Sequence, residues 1–207
     1  MPEKLRLRFE KTGRAIYISH LDLMRTMQRV FLRADCPLKY SEGFNPHALI
    51  SILLPLSVGV GSVCELMDFQ LREDVDLAAL PERLTAVMPE GIRALEAYPA
   101  GRKVRELKWL RVTGRYEYDH AEPAEMAQKL SAFYARDAIV ITRKTKRGEG
   151  QMDIVPAIAE LHIRPEDTCV TVEAVISAQE PTLNPDHLVA ALQQLAPELA
   201  PDFAAFT

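Results

Sequence analysis

Segments with two kinds of hydrophobic periodicity follow one another along this chain, and their order restricts its fold more than any other feature. Apolar and charged residues alternate over residues 5–9, which predicts a half-buried β-strand. Apolar residues then recur at helical spacing up to Ala34, after Ser19 as a helix N-cap. The rest of the first hundred residues is predicted to form strands at 49–56, 63–71 and 93–98 and a helix at 76–88.

The order strand, helix, strand, strand, helix, strand is that of the split βαβ, or ferredoxin-like, unit. The second hundred residues repeat it weakly, with predicted strands at 109–118, 138–143 and 169–176 and helices at 122–136 and 184–195. No clear strand pattern follows Pro197, which leaves open whether the second unit is complete. The sequence therefore predicts an α+β fold of two tandem ferredoxin-like units. With the boundary at Gly101, the units are residues 1–101 and 102–207.

Charge is segregated along the chain although the totals nearly balance, with 25 Lys and Arg against 29 Asp and Glu. Residues 1–40 hold nine basic and four acidic residues, whereas residues 41–100 hold three and nine. Such blocks indicate a basic side that binds polyanions locally, despite a sequence pI near 5.8. The alternative is that the blocks are ordinary solvated faces.

Cysteine usage and the hydropathy profile indicate the compartment. Cys36, Cys64 and Cys169 lie far apart and form no Cys-x-x-Cys pair, which is typical of a protein in a reducing environment. The first residues show no signal-peptide pattern, and the longest apolar stretch, 48–60, is too short and too interrupted to span a bilayer. We therefore expect a cytoplasmic protein with no membrane contact.

Three arginines of the first predicted helix are candidates for phosphate binding. Arg25, Arg29 and Arg33 stand at positions i, i+4 and i+8, which places them on one helix face over about 12 Å. A guanidinium donates to phosphate with two parallel N–H groups, so such a row suits a nucleic-acid backbone. The alternative is a solvated face that pairs with Asp22 and with the acidic middle segment.

Two further segments are candidates for RNA contact. In the loop 43–47, Phe44 would stack on a base, Asn45 would read a base edge, and His47 adds an imidazole. The alternative is that Phe44 fills the core and Asn45 forms a turn with its own backbone.

The second segment is a basic cluster expected at or near the tip of a hairpin. It consists of Arg143, Lys144, Lys146 and Arg147. It is either a phosphate contact or a soluble turn.

Glu65 is the most unusual residue of the predicted strand 63–71. It shares its parity with Met67 and Phe69, so alternation turns its carboxylate towards the apolar face. Burial of a charge is costly without a partner, which predicts a partner such as His20 or an arginine, or else a bulge near Ser62 that releases Glu65 to solvent. Asp68 has the opposite parity and is predicted to be exposed.

Catalysis has little support in the sequence. Ser19, His20 and Asp22 cannot form a triad, because adjacent side chains on a helix diverge by about 100°. Glu65, His20 and His47 are the weak candidates for proton transfer, and the two histidines lack a third metal ligand at telling spacing. We assign no catalytic residue, metal or cofactor, and a stand-alone enzyme is the less favoured interpretation.

The segments 17–25 (YISHLDLMR) and 40–47 (YSEGFNPH) resemble those of the radical-SAM-linked protein family, a domain of unknown function. The family's next signature corresponds to Pro55, Leu56, Gly59, Ser62, Glu65 and Asp68. The sequence departs from the pattern at Ala48, where the family commonly has proline. The resemblance implies association, by fusion or neighbouring gene, with radical S-adenosylmethionine (radical SAM) proteins and with genes of RNA and ribosome metabolism, but no established activity.

The chain has no three-cysteine cluster motif, so an iron–sulfur centre would belong to the radical SAM partner. We hypothesise an RNA-binding or substrate-presenting module that works with this partner, with its basic segments on one side of the molecule. Two other hypotheses are a protein-docking subunit that binds no nucleic acid and a small enzyme that uses Glu65, His20 and His47.

Overall fold

A computed structural model describes residues 4–145 and 148–207. The chain divides into two compact units, Met1–Val104 and Arg105–Thr207, each with α+β architecture. Both units have the strand order of the ferredoxin-like fold, which confirms the predicted fold class. Within the two described ranges, no helix is long and apolar enough to cross a membrane.

The first unit is one antiparallel sheet with two helices. Its elements are β1 (Leu5–Lys11), α1 (His20–Arg33), β2 (Ile50–Leu53), β3 (Ser62–Phe69), α2 (Leu80–Thr85) and β4 (Ile92–Pro99). The strands lie in the order β2-β3-β1-β4, so β1 pairs with both β3 and β4 at the centre of the sheet. Apolar residues of β1 and β3 form the core together with the inner faces of the helices.

Helix α1 begins and ends close to where the sequence predicts. The Ser19 hydroxyl caps it by accepting a hydrogen bond from the Asp22 amide at 3.2 Å. Its buried residues, Leu23, Met27, Val30 and Phe31, lie on one face, so the other face carries its polar residues to solvent. Helix α2 is shorter than the predicted 76–88. Its start at Leu80 places Pro81 in the first turn, because proline is not tolerated in a helix interior.

The second unit repeats the first unit's order around an inserted hairpin. Its elements are β5 (Trp109–Glu117), α3 (Pro123–Tyr134), β6 (Val140–Thr145), β7 (Gly148–Asp153), β8 (Ile158–Pro165), β9 (Val170–Ser177), α4 (Asp186–Leu195) and β10 (Phe203–Phe206). The main sheet has the order β10-β5-β9-β8, while β6 and β7 pair only with each other. The strand predicted at 138–143 therefore belongs to the hairpin, and β8 takes its place in the main sheet.

The last strand, β10, completes the second unit, which the sequence left open. It has only four residues, and its middle residues Ala204 and Ala205 give no alternating pattern. It pairs with β5, where Phe206 lies opposite Gly114. A Cβ atom on Gly114 would lie 2.7 Å from the Phe206 ring, so the glycine makes room for this phenylalanine.

The prediction that Asp68 is exposed is wrong. Its parity is as expected, but on that face Arg6 Nε lies 2.6 Å from Asp68 Oδ1, and Lys4 Nζ lies 2.6 Å from Oδ2. Arg6 also donates to the carbonyl of Arg102 at 2.9 Å. Burial alone would raise the pKa of Asp68, but the hydrogen bonds from Arg6 and Lys4 outweigh it and lower that pKa.

We predict that Asp68→Asn destabilises the protein by about 3 kcal/mol, because the variant leaves the buried Arg6 guanidinium without a counter-charge. Urea unfolding at pH 7 measures the change. Glu96→Gln is the control, since it removes the partner of Arg8 from a pair that both residues expose to solvent, at a cost of about 1 kcal/mol or less. Equal losses for the two variants would contradict a structural role of the buried pair.

Candidate functional site

The outer face of α1 carries the three arginines that the sequence singles out, and all three are exposed. We call Arg25, Arg29 and Arg33 the α1 face. Arg25 pairs with Asp22 across 3.2 Å, as the alternative interpretation expected. Arg29 and Arg33 form no ion pair with any residue that the structure describes.

A groove of about 380 Å³ lies beside the α1 face. We call this cavity the groove. Seven residues line it: Gln28, Arg29, Leu32, Pro37, Leu38, Tyr40 and Arg72. Leu32 is 76% exposed and Tyr40 is 44% exposed, which is high for large apolar side chains. Among these residues, Arg29 alone was predicted to bind a ligand, and Tyr40 was named only as part of the segment 40–47.

Long-range backbone pairing brings the far wall of the groove towards α1. Leu38 pairs with Leu71, and the amide of Lys39 donates to the carbonyl of Gln70 at 2.8 Å. The amide of Arg72 donates to the carbonyl of Pro37 at 3.0 Å. These bonds hold the Arg72 guanidinium 5.6 Å from the centroid of the Tyr40 ring, within the range of a cation–π contact.

The loop 41–47 leaves the groove at Tyr40, which pairs with Ala48 in an isolated bridge. Ser41 closes the loop, since its amide donates to the carbonyl of His47 at 2.8 Å and its hydroxyl lies 2.9 Å from His47 Nδ1. Phe44 is fully exposed, so the interpretation that it fills the core is wrong. Asn45 and His47 are also exposed.

Glu65 is buried, as its parity predicts, but its surroundings differ from those expected. The bulge between β1 and β3 leaves Glu65 inside, opposite Phe9. The charge of the buried Lys11 acts on Glu65, but the two side chains form no ion pair, and Lys11 donates to the carbonyl of Ile16 at 3.3 Å. Burial raises the pKa of Glu65 to about 7, against the opposing effects of a hydrogen bond from Ser62 and the charge of Lys11.

The weak catalytic candidates are only partly brought together. His20, Glu65 and Lys11 line one small cavity of about 10 Å³, room for about one water molecule. His47 does not line this cavity and contacts Ser41 instead. In the described part of the chain, no three His, Cys, Asp or Glu side chains are placed to hold a metal ion.

The basic cluster of the second unit is described only in part. Arg143 is half-buried and donates to the carbonyl of Thr182 at 3.3 Å, while Lys144 is exposed. Lys146 and Arg147 lie outside the described residues. The cluster as a whole therefore remains a prediction.

The fold and the groove define a class: an α+β protein of two ferredoxin-like units whose first unit carries a basic groove. The chain belongs to the family described as "Uncharacterized protein conserved in bacteria" (DUF2344), whose profile matches residues 4–185. This span includes every candidate residue named above, and the family description states neither an activity nor a partner. No curated protein matches the chain significantly.

We predict that Glu65 makes stability depend on pH. Between its ordinary pKa of 4.5 and its folded pKa of about 7, the folded protein holds a proton that the unfolded chain has released, so stability falls as the pH rises through this range. The Glu65→Gln variant has no carboxyl at this position, so its stability should not fall in this way. Its free energy of unfolding relative to wild type should rise by about 3 kcal/mol between pH 4.5 and pH 8, measured in urea.

Glu73→Gln is the control for this prediction, because the Glu73 side chain is exposed. Its stability relative to wild type should not change with pH. A constant difference between Glu65→Gln and wild type at both pH values would contradict the prediction.

Proposed function

We propose that the protein binds single-stranded RNA through the α1 face and the loop 41–47 of its first unit. One observation carries this proposal: the arginines of the two four-stranded sheets have acidic ion-pair partners, whereas those around α1 largely lack them. The sheet pairs are Arg6–Asp68, Arg8–Glu96, Arg93–Glu10, Arg111–Glu160, Arg115–Glu117 and Arg164–Glu173. Arg29, Arg33 and Arg72 have no such partner among the described residues.

The chemistry around α1 suits single-stranded RNA. Unpaired guanidinium groups bind phosphate oxygens and release counterions, so affinity comes mainly from charge and falls with salt. Phe44 presents a fully exposed ring on which a base can stack, and stacking of this kind tolerates any base sequence. In a duplex the base faces are hidden, so an exposed aromatic side chain favours an unpaired strand.

We further propose that the protein presents RNA to a radical SAM partner in the cytoplasm. This part rests on the resemblance of the segments 17–25 and 40–47 and on the dispersed cysteines. An iron–sulfur centre in such a complex would be held by the partner. The competing role, a docking subunit that holds the radical SAM protein without RNA, would use the same exposed Phe44.

The double variant Arg29→Glu, Arg33→Glu should weaken binding to transfer RNA and to ribosomal RNA fragments by about tenfold or more. It should also reduce the slope of log affinity against log salt by about 2, since each lost phosphate contact contributes about 1. Filter binding at several salt concentrations measures both quantities. The melting temperature should stay unchanged, because both side chains are exposed.

The matched control is Arg111→Glu, Arg164→Glu, which changes the net charge by the same amount at exposed, ion-paired positions of the second unit. We expect it to keep most of the affinity. Equal losses for the two double variants, or binding of wild type that does not depend on salt, would overturn the proposed function.

Phe44→Ala should weaken RNA binding by about fivefold or more, because loss of one stacked base costs about 1–3 kcal/mol. The melting temperature should not change, since the ring contributes nothing to the core. Unchanged RNA affinity, together with loss of a co-purifying radical SAM protein, would favour the docking role instead.

A further inference from the structure

We propose that the groove holds one unstacked base of the bound strand, an inference that rests on the RNA-binding function proposed above. At about 380 Å³, the groove lies within the range of about 300–1,000 Å³ typical of small-molecule sites. The loop 41–47 adjoins it directly at Tyr40, so a strand that contacts Phe44 passes close to the groove.

The two walls of the groove offer what a base requires. Leu32, on α1, and Tyr40, on the segment that follows Leu38, both line the groove and expose apolar surface. A flat ring between them removes this surface from water and stacks on the tyrosine. The Gln28 amide carries both a donor and an acceptor at the helix wall, which matches the edge of a base.

Charge favours a nucleotide over other flat ligands. Among the described residues that line the groove, Arg29 and Arg72 are basic and none is acidic. Arg29 belongs to both the α1 face and the groove, so a phosphate on Arg29 places the attached nucleoside beside the groove. Arg72 sits over the Tyr40 ring, where a guanidinium adds to base stacking.

The groove is built in advance of binding. Backbone hydrogen bonds fix residues 37–39 against residues 70–72, and Tyr40 forms a bridge with Ala48. Helix α1 is fixed through its own buried face. A ligand therefore does not have to order a loop in order to stack on Tyr40, which lowers the cost of binding.

The test compares a labelled single-stranded oligonucleotide with an abasic strand of the same length and charge, by fluorescence anisotropy at one salt concentration. The comparison uses the Phe44→Ala variant, so that stacking at the loop does not contribute, and this variant should bind the strand with bases about fivefold more tightly. Adding Tyr40→Leu should remove this remaining preference and leave the affinity for the abasic strand unchanged, while adding Tyr40→Phe should keep it. Leu32→Glu is a second variant at an exposed position, and it should also remove the preference.

Equal affinity of the Phe44→Ala variant for the two strands would overturn the base site while leaving the RNA-binding function intact. Equal loss of affinity for both strands in Tyr40→Leu would do the same, because it would mean that Tyr40 supports only backbone binding. Tighter binding of an acidic, tyrosine-containing peptide than of the oligonucleotide would also overturn it. Absence of salt-dependent binding to either strand would instead refute the proposed function itself.

Discussion

The cross-strand pair of Arg6 and Asp68 is the interaction on which the first unit depends most directly. The two residues lie opposite each other in the register of β1 and β3, and both are buried. A slip of one residue would turn Asp68 to the other face of the sheet and leave Arg6 without its counter-charge. The apolar residues Leu7 and Met67, also opposite each other, hold the same register from the core side.

The position of β1 at the centre of the sheet determines where the groove forms. Because α1 follows β1 and packs on the core face, its apolar residues face the sheet and its arginines face outwards. After α1, residues 37–39 pair with residues 70–72, beyond the end of β3 and beside residues 28–32 of α1. The groove therefore forms between α1 and this additional pair of segments.

Those features that follow from local spacing could be predicted from the sequence. Helical spacing placed Arg25, Arg29 and Arg33 on one face, and strand alternation placed Glu65 inside. The same alternation placed Asp68 on the opposite face, but alternation cannot tell whether that face is covered, and here the side chains of Arg6 and Lys4 cover it. Lys11 shares the core parity of β1, so strand alternation alone could have identified it as a neighbour of Glu65.

Features that depend on distant segments could not be predicted in this way. Tyr40 and Arg72 meet because residues 37–39 pair with residues 70–72, which brings the next residue, Tyr40, close to Arg72. The two alternatives for Phe44 were equally compatible with its sequence, and the exposure of its ring in the folded loop excludes the alternative that it fills the core. In the second unit, the strand predicted at 138–143 belongs to the inserted hairpin, so β8 was not predicted as the edge strand of the main sheet. Strand β10 has only four residues, too few to show the alternation of a strand.

The acidic middle segment explains how an acidic protein keeps a basic face. The alternative interpretation of the α1 face required acids of residues 41–100 to neutralise its arginines. The structure uses several of these acids elsewhere: Asp68 pairs with Arg6, Glu96 pairs with Arg8, and Glu65 is buried near Lys11. Exposed charges farther apart than about 10 Å are largely screened at physiological salt, so a net charge of −4 does little to oppose binding at an unpaired cluster. Local pairing, and not the total charge, therefore decides where this protein carries unpaired cations, and the proposed RNA site lies at such a cluster.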